Sequence, residues 1–260
     1  MCIRDSLYGK GRRLMLTREV TAVELAEAMR RDFVANVSHE IRTPLTVLSG
    51  FIETLLTLDL SAQERRQYLE LMDTQSQRMQ SLVSDLLTLS RLEGSPVPGV
   101  GEWIDANAML QQVLHEAQAL AALLGRGAHE LRAEAGPVLQ IAGVRSELHS
   151  ALSNLLNNAV RHTPAGALVR AGWRLRDDGG AEFYVADNGP GIEVEHLSRL
   201  TERFYRVDRS RSRETGGTGL GLSIVKHVAQ RHGGQVQIES VLGQGSTFVI
   251  VLPPSRVLLD

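Results

Sequence analysis

The chain has 260 residues, 43% hydrophobic and 22% charged, enough for one large or two modest domains with a buried core. A formal net charge of −2 gives no reason to expect nucleic acid or an anionic membrane as partner, and one cysteine, Cys2, excludes an internal disulfide framework and fits a reducing compartment. The eight histidines lack zinc-ligand spacing, there is no signal-peptide pattern, and no stretch approaches the roughly 18–20 apolar residues of a membrane span.

The first six residues, MCIRDS, fit nothing that follows and resemble translated adapter sequence. Residues 1–21 are therefore expected to hold a non-native start and the tail of an upstream domain, including the strand-like Leu14-Met15-Leu16. The natural N-terminus is expected further upstream. From about Ala22, Val34, Val37, Ile41, Leu45, Leu48, Ile52 and Leu55 keep 3/4 spacing, which predicts a helix to about Leu58. Ser61-Ala-Gln-Glu64 reads as a capping box, opening a second helix marked by Tyr68, Met72, Gln75, Met79, Leu82, Leu86 and Leu89. A short connection between long amphipathic helices predicts an antiparallel hairpin over 22–93. Two helices cannot enclose a core, so two hairpins are expected to pair into a dimeric four-helix bundle, with a coiled-coil spacer as the bland alternative.

Gly94-Ser-Pro-Val-Pro-Gly-Val-Gly101 is a linker by composition. A domain over 102–256 follows. Asp105 can cap a helix to about Leu124, strands follow near Glu130–Ala133 and Val138–Ile141, and a helix covers Val144–His162. Leu168–Arg176 and Glu182–Ala186 flank the hairpin signal Asp177-Asp-Gly-Gly180. A helix from about Gly219 to His232 precedes strands at Gln235–Glu239 and Thr247–Leu252. The expected class is α+β, a mostly antiparallel sheet covered by helices, without internal repeats.

In Phe33-Val-Ala-Asn-Val-Ser-His-Glu-Ile-Arg-Thr-Pro-Leu45, steps of 100° put His39 nearly opposite the apolar seam, with Thr43 one turn along on the exposed side. A solvated surface histidine is the plain reading. The chemical one is a nucleophile, one imidazole nitrogen attacking while a carboxylate, which Glu40 could supply, holds the other. Pro44 removes a backbone donor and predicts a bend beside His39. His-Glu-Ile-Arg-Thr-Pro is identified as the H-box of the sensor histidine kinases of two-component systems. The resemblance implies that His39 accepts phosphate on Nε2, Glu40 orients and activates the ring, and Thr43 aids dephosphorylation.

Asn154 and Asn158 lie at i, i+4 on the edge of a buried stripe, whereas Asn157 points away. Boundary amides are common there, but Asn154-Leu-Leu-Asn-Asn-Ala159 resembles the family's N-box, which implies a role near the phosphates with Asn158 holding Mg²⁺. Arg161 or His162 could then reach phosphate oxygens. Asp187-Asn-Gly-Pro-Gly-Ile192 follows an apolar strand and could be a plain turn. It matches the G1 box, which implies that Asp187 accepts from the adenine amino group, with Gly189 and Gly191 shaping the loop. Gly216-Gly-Thr-Gly-Leu-Gly-Leu222 opens a helix, where glycines allow close approach and free N–H groups attract anions. The preceding stretch is polar rather than a buried strand, which excludes a dinucleotide fingerprint. It matches the G2 box, assigning Gly217, Gly219, Leu220 and Gly221 to the nucleotide, with Phe204-Tyr-Arg206 as the F-box and Gly243-Gln-Gly-Ser-Thr247 closing the site through Thr247. Between Ile192 and Gly216, arginines at 203, 206, 209, 211 and 213 suggest a lid over ATP, with Arg206 a phosphate contact. Interleaved acids and the lack of an aromatic series argue against nucleic acid.

The resemblance runs from about Ala22 to Pro254, and RDFVANVSHEIRTPLTVLSGF and RLTERFYRVDRSRSRETGGTGLGLSIVKH most resemble the phosphate-regulon sensor kinases. It implies an α/β sandwich shared with gyrase, the Hsp90 chaperones and MutL, and an ATP- and Mg²⁺-dependent protein-histidine kinase acting as a homodimer on a response regulator receiver domain. Phospho-regulator phosphatase activity is expected too. The hydrolytic relatives carry a glutamate at the position of Asn154, and an amide cannot act as a general base. The fragment is expected to be cytoplasmic without membrane contact of its own, the full-length protein being anchored in the inner membrane upstream. The alternatives are a non-catalytic dimerisation and docking module with a degenerate ATP site, and a gyrase-type ATPase.

Overall fold

A computed structural model describes residues 2–8, 12–18, 21–100, 102–125, 129–134, 136–207 and 217–259. The chain divides into two compact units, Met1–Met79 and Gln80–Asp260. That division falls inside a helix, upstream of the Gly- and Pro-rich stretch at 94–101. The lid arginines 209, 211 and 213, as well as Gly216 and Gly101, lie outside the described residues.

The first unit opens with strands β1 (Cys2–Tyr8) and β2 (Arg12–Arg18), paired antiparallel. Helices α1 (Thr21–Thr57) and α2 (Ala62–Gly94) follow. The capping box sets the turn between them: the Ser61 N–H and hydroxyl donate to the Glu64 carboxylate at 2.9 and 2.7 Å, and the Glu64 N–H donates to Ser61 Oγ at 3.3 Å. The Phe51 and Tyr68 rings meet with centroids 5.5 Å apart, so the helices run antiparallel. Pro44 is buried, and α1 continues through it without interruption.

The predicted α1 seam splits into two stripes. Val37, Ile41, Pro44, Leu48, Phe51 and Leu55 are buried or half-buried, while Val34, Leu45 and Ile52 are 57%, 46% and 46% exposed. A single hairpin covers one stripe and leaves the other bare.

In the second unit a short sheet joins β3 (Trp103–Asp105), β5 (Leu139–Ala142) and β10 (Val257–Leu259) in the order β10-β5-β3. The main sheet has the order β4-β6-β7-β9-β8, from β4 (Glu130–Ala133), β6 (Leu168–Leu175), β7 (Ala181–Asp187), β8 (Gln235–Val241) and β9 (Gly245–Leu252). Only the β4–β6 pair is parallel among these neighbours. The β6–β7 hairpin closes where Asp177–Gly180 predicts, with Gly179 at φ +84° and the Arg176 N–H donating to the Gly180 carbonyl at 2.8 Å.

Helices α3 (Ala106–Leu123), α4 (Arg145–His162) and α6 (Gly221–Arg231) pack on the sheet, and the short α5 (Val194–Leu197) follows β7. The core joins Leu110, Val113, Leu152, Leu155, Leu156 and Ile224 to Val169, Trp173, Phe183, Val185, Phe248 and Ile250. Burying each such large side chain stabilises the fold by about 1.5–3 kcal/mol. Asp105 caps α3 as expected, accepting from the Ala108 N–H at 2.8 Å. Among the described residues no helix is long and apolar enough to cross a membrane.

The stretch that reads as a linker is strapped down within this unit. The Arg231 guanidinium donates to the carbonyls of Leu92, Ser95 and Pro96 at 2.8, 2.7 and 2.9 Å. The same group makes two 3.0 Å bonds to the Glu147 carboxylate, both side chains being largely buried. Arg256 donates to the carbonyls of Pro98 and Gly99 at 2.6 and 2.5 Å. Removing one partner of a buried pair leaves an uncompensated charge, so Arg231→Ala should destabilise this unit by about 3–5 kcal/mol. Urea unfolding of the variant checks this, and an unchanged midpoint would show that the strap carries no stability.

Candidate functional site

In the first unit His39 is exposed on α1, and the Thr43 hydroxyl donates to its carbonyl oxygen at 3.1 Å. Glu40, next to His39 in the chain, is half-buried and engages the second helix. Neighbouring residues on a helix diverge by 100°, and the Glu40 carboxylate accepts from the Arg78 guanidinium at 3.3 Å. Arg78 escaped the sequence reading, although the register that joins Phe51 to Tyr68 also brings residue 78 opposite residue 40.

In the second unit β7 ends at Asp187, whose carboxylate accepts from the backbone N–H groups of Gly189, at 2.9 Å, and Ser246. Burial raises the pKa of this carboxyl, and the two N–H donors pull the other way. A side chain on Gly189 would meet Asp187 Oδ1 and Thr163 Cγ2, each 2.8 Å from its Cβ. Gly191, at φ +70°, lies so close to the Val241 carbonyl that any Cβ would overlap it. The glycines of this loop are thus required by the end of α4 on one side and the β8–β9 turn on the other.

Asn154 and Asn158 are half-buried at the edge of α4. The Asn154 amide donates to the Ser150 carbonyl at 2.8 Å, and its Oδ1 lies 2.6 Å from where a Gly221 Cβ would stand. The structure therefore brings the amide helix against the start of α6. Arg161 is half-buried and His162 exposed at the end of α4. Asn158 offers a hard amide oxygen of the kind Mg²⁺ accepts, with phosphates and water expected to complete the shell. Among the described residues no cluster of acidic or histidine ligands lies on α4. A group of potential metal ligands among the described residues, Glu193, Glu195 and His196, lies at the start of α5.

The glycine loop is braced by its predicted neighbours. The Phe204 N–H donates to the Gly219 carbonyl at 2.8 Å, with Phe204 at φ +61° and Gly219 at φ +74°. Arg206, expected on phosphate, donates to the Gly217 carbonyl. The Leu220 N–H donates to Thr218 Oγ1 at 3.2 Å, and that hydroxyl donates to the Asp85 carboxylate of α2 at 2.6 Å. Neither Asp85 nor Thr218 was singled out from sequence, because contacts between distant segments leave no local period.

Thr247 is offset by one residue from the strand partner of Asp187. Register pairs it with Ala186, on the face carrying Tyr184 and Val249, whereas Asp187 pairs with Ser246. Cross-strand partners share a face, so Ser246 stands on the Asp187 side. Alternation along GSTFVIVL, counted back from the buried Phe248, would have chosen it.

Residues 29–95 match the His Kinase A (phospho-acceptor) domain, and residues 143–256 match the histidine kinase-, DNA gyrase B- and HSP90-like ATPase family. The solved structure of the mycobacterial sensor histidine kinase MprB is 30% identical, covering 59% of this chain and 97% of that one at a TM-score of 0.51. The chain belongs to the sensor histidine kinases. Within that family, the phosphate regulon sensor protein PhoR of Pseudomonas aeruginosa is 49% identical over 254 residues, 97% of this chain. This chain spans 56% of the length of that relative. Full-length ShkA, solved in complex with AMPPNP, is 29% identical over 88% of this chain and 47% of that one, with a TM-score of 0.62.

The geometry separates two neighbouring strand residues in a binding measurement. Asp187→Asn should weaken AMPPNP binding about tenfold or more, the loss of a charge-assisted contact of about 1.5–3 kcal/mol. Thr247→Val should stay within about twofold of wild type, because its side chain lies on the other face. Equal losses in calorimetric titrations would sink the register argument.

Proposed function

We propose that this chain is an ATP-dependent protein-histidine kinase that phosphorylates its own His39 and passes the phosphoryl group to an aspartate of a response regulator receiver domain. The observation that carries the reading is the pairing, in one chain, of an exposed His39 with an ATPase-family domain that has an amide at residue 154. Asn154 cannot deprotonate water, so bound ATP waits for another nucleophile. His39 Nε2 then bonds to the γ-phosphorus as the bond to the β–γ bridging oxygen breaks and ADP leaves. Asp187 selects adenine, Gly189 and Gly191 shape its pocket, and Gly217, Gly219, Leu220 and Gly221 present backbone to the phosphates. Asn154, Asn158, Arg161, His162, Phe204 and Arg206 complete the nucleotide surroundings. Mg²⁺, held by phosphate oxygens and Asn158, would supply charge neutralisation at the transferring group.

The bare stripe of Val34, Leu45 and Ile52, continued by Leu56 at 79% exposure, supports a homodimer in which a second hairpin covers it. Residues 22–93 are assigned to dimerisation and phosphotransfer and 102–256 to catalysis. Similarity to PhoR supports a role in phosphate-starvation signalling. The reading places this portion in the cytoplasm and an inner-membrane anchor in upstream segments.

Incubation with γ-labelled ATP should leave acid-labile, alkali-stable label on the protein, and His39→Gln should abolish it with nucleotide affinity nearly unchanged. Nucleotide binding without any label would favour a docking module instead. Label persisting in the variant would remove His39 as acceptor.

Thr43 should divide two activities. Its hydroxyl, one turn from the His39 side chain, is placed to position water against a phosphorylated regulator, whereas attack on ATP needs no such group. Thr43→Ala should keep autophosphorylation within about threefold and slow regulator dephosphorylation about tenfold or more. Equal decay of purified phospho-regulator with both proteins would overturn that role.

A further inference from the structure

We propose that the Asp85 carboxylate is an internal occupant of the phosphate-binding loop, which the triphosphate of ATP must displace. The inference rests on the nucleotide reading above and adds a competitor to it. Asp85 lies in the same compact unit as the loop. It accepts from the Thr218 hydroxyl at 2.6 Å, the short distance typical of a charge-assisted O–H···O⁻ bond. Thr218 Oγ1 in turn accepts from the Leu220 N–H at 3.2 Å, so the acid is coupled directly to the backbone that opens α6. The positive charge of Arg161, at the end of the amide helix, also acts on Asp85.

A hydroxyl on a glycine loop, the start of a helix and a guanidinium together make a receptor for an anion. A phosphate oxygen and a carboxylate oxygen ask for the same donors. Asp85 is partly desolvated, and burial raises its pKa, so its charge is tolerated largely through these partners. Occupied this way, the loop is held in one place before nucleotide arrives. ATP gains the donors only by releasing Asp85, which lowers apparent affinity by the cost of that exchange.

The test titrates the purified chain with MgAMPPNP and, separately, with adenosine, which has no phosphates. Asp85→Asn keeps shape but not charge. It should bind AMPPNP about five- to tenfold tighter with adenosine affinity unchanged, and Asp85→Ala should behave alike. Asp85→Glu, which keeps the charge, should remain near wild type. The gain should survive at about 1 M salt, where the Debye length is about 3 Å and a remote charge effect is screened. In the wild type, the carbon resonance of the Asp85 carboxylate should move on adding AMPPNP and stay with adenosine. Unchanged or weaker AMPPNP binding in Asp85→Asn, an equal gain for adenosine, a gain lost in high salt, or an unmoved resonance would each overturn the displacement. Wild-type protein that binds neither ligand would overturn the nucleotide reading, and the inference with it.

Discussion

The candidate site hangs on how closely main chain approaches main chain where β7 ends. A Cβ on Gly245 would overlap the Asp187 carbonyl oxygen, and one on Gly191 would overlap that of Val241. These approaches hold the turn after β7 against the β8–β9 hairpin, and they aim the Asp187 carboxylate between two backbone donors. A carboxyl whose pKa burial has raised needs such fixed donors if it is to stay ionised and select a base. The placement of this carboxylate is in this sense a property of the sheet. The loop inherits it.

The glycine-loop end of the candidate site is built differently. Phe204 holds a left-handed backbone conformation, which costs a non-glycine residue about 1–3 kcal/mol, and its N–H bond to Gly219 helps to hold it. Arg206 and Thr218 add side-chain braces, to Gly217 and Asp85. Side chains can change partner, whereas a sheet register cannot. A site with one end fixed by backbone and the other by exchangeable side chains can bind a base rigidly and still rearrange around a reacting phosphate.

Much of this was legible in the sequence. Ser61 and Asp105 cap helices because their side chains reach N–H groups three residues on, a purely local relation. The buried face of α4, and with it Asn154 and Asn158, followed from helical spacing. Strands β3 and β10 did not, since three residues cannot display a period of two. The motif at 243–247 names a stretch, whereas only register says which face Ser246 and Thr247 each take. The single apolar seam that spacing predicts on α1 divides into a covered stripe and a bare one, because periodicity marks apolar positions without saying which of them one chain can cover. The partners of Glu40, Thr218 and the 94–101 stretch join positions far apart in the chain, which composition does not encode.

Arg231 and Arg256 together grip the carbonyls of residues 92, 95, 96, 98 and 99, in that order. Such a clasp counts residues. One inserted or deleted between Leu92 and Gly99 would carry some of these carbonyls past the guanidinium that holds them. A free tether between the helical hairpin and the following domain would accept any length. Here the tolerant joints are expected outside the clasp, and hybrids spliced within it would inherit a phase requirement that the glycines and prolines of the segment conceal.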